Sequence, residues 1–190
     1  LILLARDKEG YQNLIKLSSI GYTEGFYRKP RIDREVLAKH SSGLIVSSAC
    51  LAGEIADNLM KNDWDRARET ANWYGNVFEN RYYLEVQAHE SEGQSQLNNK
   101  IFTLGEELGL PIVATNDAHF LKSEDHEAHD VLLCIGLGKD RKDESRMHYD
   151  EGLYFKSGPE ISDYFPNRSD VLENTLDIAD QVNLSFTKTY

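Results

Sequence analysis

The sequence predicts an α/β fold in which short parallel strands are surrounded by helices and close only part of the way into a barrel. Three observations predict it. Short apolar runs alternate with longer amphipathic stretches along all 190 residues, the pattern of repeated β–α units. About five of the runs have strand character, fewer than the eight of a complete (β/α)₈ barrel. The residues of greatest chemical promise follow the ends of those runs, where such folds collect their chemistry.

The first run, Leu1 to Ala5, reads as a strand. Lys8 to Leu17 follows as a helix, with Tyr11, Leu14, Ile15 and Leu17 expected inward. Tyr22 to Arg31 is aromatic and basic, ends around Pro30, and reads as an ordered loop before a short helix begun by Ile32 to Leu37. Gly43 to Ser48 is a buried-strand signal with Cys50 just past its end. Helices are predicted around Glu54 to Met60 and from Asp63 to Phe78, with Asp63 the N-cap of the second. Arg81 to Gln87 is the next strand, and Ser91 to Leu108 the next helix, stopped by Gly109 and Pro111. Ile112 to Thr115 is a strand that delivers Asn116, Asp117 and His119 at its C-terminal end. Ser123 is predicted to cap a helix whose core face includes Val131, Leu132, Cys134 and Ile135. After a charged loop from Lys139 to Asp150, Leu153 to Lys156 reads as a last strand, and Pro159 to Phe165 and Ser169 to Val182 as helices.

Composition narrows the function classes. With 40% hydrophobic residues the chain can bury a core, which excludes disorder. No apolar run approaches the roughly 20 residues that span a bilayer. The N-terminal run has neither a preceding basic region nor a small-residue cleavage site, so it reads as a strand rather than a signal peptide. A chain beginning at Leu1 rather than Met is expected to be an excised or processed piece. Two cysteines, Cys50 and Cys134, make no disulfide framework and fit a reducing cytoplasm. The net charge of −11 makes the domain a poor grip on phosphate backbones. DNA work by such a chain must rely on a metal site or a partner segment.

Asp117 and His119 are the sharpest chemical signal. Two residues apart on an extended segment, their side chains share a face, and carboxylate plus imidazole suits a Zn²⁺, Mn²⁺ or Fe site. The spacing alone equally fits, and favours, a turn aspartate beside a satisfied core histidine. Cys50 offers a soft thiolate at another strand end, although buried free cysteines are ordinary core residues. Glu85, Gln87 and His89 alternate toward one side of a further strand end and are candidates for lining the same mouth; a half-exposed strand has the same pattern. His126 and His129 are three apart, not the four of a His-Glu-x-x-His helix, and read as a solvated or partly packed helix face. Cys134 belongs to the core, and the Lys and Arg residues of Tyr27 to Arg34 read as a structural loop rather than a nucleic-acid patch. His40 and His148 carry no role.

Several segments taken in order resemble bacterial replicative DNA polymerase III alpha subunits over almost all of the chain. They are Leu3-Leu-Ala-Arg-Asp-Lys-Glu-Gly-Tyr-Gln-Asn-Leu, Gly25-Phe-Tyr-Arg-Lys-Pro-Arg-Ile-Asp and Gly43-Leu-Ile-Val-Ser-Ser-Ala-Cys-Leu-Ala-Gly-Glu-Ile. Ala114-Thr-Asn-Asp-Ala-His-Phe, Glu124-Asp-His-Glu-Ala-His-Asp-Val-Leu-Leu-Cys-Ile and Asn174-Thr-Leu-Asp-Ile-Ala-Asp complete the set. The ordered set is specific, although no single segment decides it.

The resemblance implies the later part of a PHP (polymerase and histidinol phosphatase) domain, a distorted (β/α)₇ barrel. It also implies metal ligation by Cys50, Asp117 and His119, reversing the ordinary readings above, with Zn, Mn or Fe supporting 3′–5′ exonuclease or phosphoesterase chemistry. The family's His-x-His strand, a second His-bearing loop, its Glu strand and the palm that holds Mg²⁺ for nucleotidyl transfer find no counterpart in residues 1–190. The segment alone is therefore expected not to polymerise DNA. The implied partners are DNA and deoxynucleotides, with the proofreading exonuclease, sliding clamp and clamp loader as replisome neighbours, in the cytoplasm and without a membrane. Two alternatives are a decayed scaffold that docks a separate exonuclease and a free-standing PHP phosphoesterase. The resemblance at Gly25 to Asp33 and Asn174 to Ala179 argues against the second.

Overall fold

The computed structural model describes residues 1–90 and 93–186. Four strands, β1 (Ile2–Ala5), β2 (Leu44–Ser47), β3 (Tyr82–Gln87) and β4 (Ile112–Thr115), form one sheet in that order. Strand β2 pairs in parallel with β3, and β3 with β4. Strand β1 pairs antiparallel with β2, Leu3 opposite Val46, so the parallel arrangement holds from β2 onward. The helices are α1 (Lys8–Thr23), α2 (Arg34–Lys39), α3 (Glu54–Met60), α4 (Trp64–Phe78), α5 (Gln94–Leu108), α6 (His126–Leu137), α7 (Gly158–Tyr164) and α8 (Asp170–Gln181).

Strand alternation divides the sheet into two faces. Leu44, Val46, Tyr82, Leu84, Val86 and Ile112 join the main core, which α3, α4 and α5 cover with Ile55, Leu59, Phe78, Leu97 and Ile101. Each such burial is worth roughly 1.5–3 kcal/mol against exposure. Ile45, Tyr83 and Val113 face the other way, where Ile178 of α8 packs on them. Helix α8 is held there by Asn174, whose Nδ2 donates to the Ile112 carbonyl at 2.7 Å, and by Gln181, whose Nε2 donates to the Tyr83 hydroxyl at 2.9 Å.

Local signals set the boundaries. Asp7 caps α1 by accepting from the Gly10 N–H at 3.0 Å, and Asp63 caps α4 by accepting from the Arg66 N–H at 3.1 Å. Helix α5 ends at Gly109, φ +65°, where a residue without Cβ enters the left-handed region freely. Gly10 serves a different need: a Cβ there would stand 1.8 Å from the Gly43 carbonyl oxygen. Only glycine lets α1 lie against the turn that feeds β2.

Five expectations change. Leu153 to Lys156 is not a strand, since Tyr154 makes a single bridge to Phe120. Ser123 does not cap a helix; Ser123–Asp125 is a 3₁₀ turn in which Asp125 accepts from the Lys122 N–H, and α6 starts at His126. In α1, Leu17 is buried, but Tyr11 and Ile15 are exposed. In α6 only Cys134 is buried, while Leu132 and Ile135 are 63% and 73% exposed and Val131 is also exposed. Val131 to Ile135 are consecutive apolar residues, and at 100° per residue they circle the helix. One packing surface cannot take all of them. The helix predicted from Ser91 runs from Gln94; Ser91 and Glu92 lie outside the described residues.

Candidate metal-binding rim of the sheet

Because β2, β3 and β4 are parallel, their C-terminal ends share one rim. Glu85, Gln87 and His89 do lie on one side of the β3 end, and all three are buried. Glu85 sits deepest. Its carboxylate accepts from Ser47 Oγ of β2 and, at 2.6 Å, from Thr115 Oγ1 of β4, tying three strands together. Gln87 is fixed through its backbone, which exchanges two hydrogen bonds with the Asn98 side chain of α5. His89 Nε2 lies 3.3 Å from Gln87 Oε1 and 3.7 Å from Asp117 Oδ2.

Burial pushes the His89 pKa down, the Asp117 carboxylate pulls it up, and the Lys156 ammonium pushes it down again. Lys156 is 3% exposed, which likewise lowers its pKa. Its Nζ donates to the Gly152 carbonyl and lies 4.5 Å from the Tyr154 ring centroid. Its backbone is stitched to the β4 end: Asn116 Nδ2 donates to the Lys156 carbonyl at 2.8 Å, and the Lys156 N–H donates back to Asn116 Oδ1 at 3.1 Å.

Asp117 stands at φ +51°, a conformation that Asp tolerates better than most residues. It breaks the extended alternation expected to place Asp117 and His119 on one face. His119 instead turns back over its own loop, with Nδ1 2.9 Å from the Asp117 carbonyl oxygen. A carbonyl only accepts, so this contact calls for an N–H at Nδ1, and in that neutral tautomer Nε2 carries the lone pair. Metal-ligating histidines typically show this pattern. The ring rests on Tyr149, centroids 4.3 Å apart, and near His129 at 6.3 Å. His129 is half-buried rather than solvated, and its Nδ1 is buried with no hydrogen-bond partner among the described residues.

Cys50 stands apart. Strand β2 stops at the level of Tyr83, whereas β4 stops at the level of Gln87, four residues further along β3, or about 13 Å at 3.3 Å per residue. Past β2 the chain turns at once: Ala49 adopts φ +65° and the Gly53 N–H donates to the Cys50 carbonyl at 2.7 Å. Among the described residues, no three His, Cys, Asp or Glu side chains form a group able to hold a metal ion. Asp117 and His119 thus fit a metal in donor type and tautomer, and fall short in number. Sequence reasoning missed Lys156 and Tyr149, which reach the rim only through contacts with residues 30 or more positions away.

Residues 1–89 match the PHP domain family. The similarity to DNA polymerase III subunit alpha continues through the rest of the chain. The protein of Borreliella burgdorferi is 42% identical over 95% of this chain, that of Treponema pallidum 40% over 97%, and that of Deinococcus radiodurans 41% over 97%.

Residues 1–89 belong to the PHP domain family, and the chain as a whole is similar to DNA polymerase III alpha subunits.

It spans only 16%, 16% and 14% of those three relatives' lengths. The PHP match ends at His89, so Cys50 and His89 lie inside it, and Asp117 and His119 lie in the part carried by similarity to the alpha subunits. PHP domains are generally metal-dependent. No helix among the described residues is long and apolar enough to cross a membrane.

Proposed function

We propose that this chain works as the PHP segment of a bacterial replicative DNA-directed DNA polymerase in the cytoplasm. Its rim supplies Asp117 and His119 to a site for Zn, Mn or Fe that performs 3′–5′ exonuclease or phosphoesterase chemistry, with Cys50, set back at the end of β2, as a more distant third donor. What carries this is His119, whose Nδ1 contact with the Asp117 carbonyl frees Nε2 as a donor. A bound metal would activate water and stabilise the leaving oxygen of a phosphodiester. The chain's own residues hold the rest in place. Glu85 locks the three strands, His89 lies beside the Asp117 carboxylate, and Lys156 places a positive charge near both. Two or three donors are too few, so the site is shared with residues beyond this segment. DNA, deoxynucleotides, Mg²⁺ at the palm, the clamp and its loader belong to the proposed whole polymerase.

The second reading is a scaffold that docks a separate proofreading exonuclease, and the exposed Leu132 and Ile135 favour it. The full-length polymerase carrying this segment separates the two. Asp117→Asn and His119→Ala should each cut metal content and slow release of a 3′ nucleotide by about tenfold or more, with nucleotide incorporation retained. Unchanged release in both variants leaves the scaffold.

A further inference from the structure

The last turn of α1 and the loop that leads from it to α2 are out of character with the rest of the molecule. Residues 22–31 carry Arg28, Lys29 and Arg31 against Glu24 alone, in a chain of net charge −11. Tyr22, Phe26 and Tyr27 are 63%, 57% and 65% exposed, although side chains of this kind are normally most valuable buried. Tyr22 and Phe26 stack at 6.4 Å between centroids, and the Arg28 and Arg31 guanidinium groups lie 5.7 and 5.4 Å from the Tyr27 ring.

The loop is also fixed in shape. The Gly25 N–H donates to the Ile20 carbonyl, the Tyr27 N–H donates to the Lys29 carbonyl, and a Cβ on Gly25 would stand 1.9 Å from the Arg31 oxygen. Arg34, just beyond, pairs with Glu54 at 2.6 Å and lies over the Trp73 ring. This anchors the loop's end four residues past Cys50. Two open grooves of about 290 and 420 Å³ flank it, the first lined by Tyr22, Pro30 and Arg31, the second by Gly25, Arg31 and Val36.

We infer that this loop is a sequence-independent contact for single-stranded DNA, with Tyr22 and Phe26 as stacking platforms and Arg28, Lys29 and Arg31 neutralising phosphates. Single-stranded DNA carries flat rings and anions side by side along its length, and this segment sets three flat rings beside three cations. A duplex offers no open base faces, and an apolar protein partner would have to bury three cations. Aromatics beside arginine are the elements of such binding, and the order of the loop lowers its entropic cost. The inference rests on the loop and does not need the rim chemistry.

The test uses the full-length polypeptide carrying this segment, a fluorescent oligothymidine of about 16 nucleotides, and anisotropy from about 50 to about 200 mM salt. Lys29→Gln with Arg31→Gln should flatten the slope of log affinity against log salt by about 1.4, at about 0.7 per lost phosphate contact. Phe26→Ala should weaken binding about tenfold and leave the slope unchanged. Arg31→Lys should keep the slope, and an unaltered Tm confirms that each variant folds. Unchanged slope and affinity in folded variants overturns the inference. So does loss of a replisome protein's binding at unchanged DNA affinity, which would make the loop a protein contact.

Discussion

At the residue scale the account turns on side chains held in unusual states. Ala49 at φ +65° and Asp117 at φ +51° are left-handed residues at the ends of two parallel strands. Strain of this kind gathers where a chain must present side chains in a fixed direction. Ala49→Gly should therefore raise stability by up to about 1 kcal/mol, and Ala49→Val lower it by about 1–3 kcal/mol, in urea denaturation. Glu160 is a second case. Hydrogen bonds from the Ser157 hydroxyl and backbone N–H, then from the Tyr154 hydroxyl, hold its pKa down to about 2 from 4.5. A carboxylate depressed on folding adds stability above its unfolded pKa and loses it as pH falls through the folded one. The stability gap between the protein and Glu160→Gln should thus be full above pH 4.5 and shrink toward pH 2, read by hydrogen exchange of the α7 amides. A gap that does not change with pH would contradict the assignment. The sequence announced Asp117 and His119 because they follow an apolar run. It could not announce Lys156, whose partner Asn116 is 40 residues away.

At the element scale, legibility followed burial. Strands β2 and β3 are largely buried on both faces, so Leu44–Val46 and Tyr82–Leu84 are unbroken apolar runs, and both were readable. Leu153 to Lys156 has the same look but pairs at one residue only, because a strand needs a neighbour that sequence does not display. Helix α6 misled for the reason given by its girth: an apolar circumference does not say which side is covered. Two substitutions test these assignments. Leu132→Gln with Ile135→Gln should change the unfolding free energy by less than about 0.5 kcal/mol each, whereas Leu59→Ala in α3, fully buried, should cost about 2–5 kcal/mol. Gly10→Ala should cost about 1–3 kcal/mol, since helix α1 must move off the Gly43 carbonyl.

At the scale of the whole molecule, the sheet has two unequal faces. One is filled by α3, α4 and α5; the other leaves an open cavity of about 320 Å³ lined by Ile2, Leu4, Ile45, Val113 and Ile178 with Glu85. Strand β1 stands at the sheet's end with Ile2 and Leu4 more than 40% exposed, an apolar edge that invites pairing. The 190-residue chain is expected to self-associate in light scattering, and Ile2→Lys with Leu4→Lys to abolish it. The incomplete barrel was legible from the count of strand signals, and the β1 reversal was not, since a four-residue strand carries no mark of direction. The central claim is that Asp117 and His119 are donors in a metal site of the polymerase. Anomalous diffraction at the zinc edge from crystals of the full-length protein tests it most directly. The account predicts a peak about 2.0–2.2 Å from His119 Nε2 and from an Asp117 carboxylate oxygen; an ordered rim with no peak there, in zinc-loaded crystals, would contradict it.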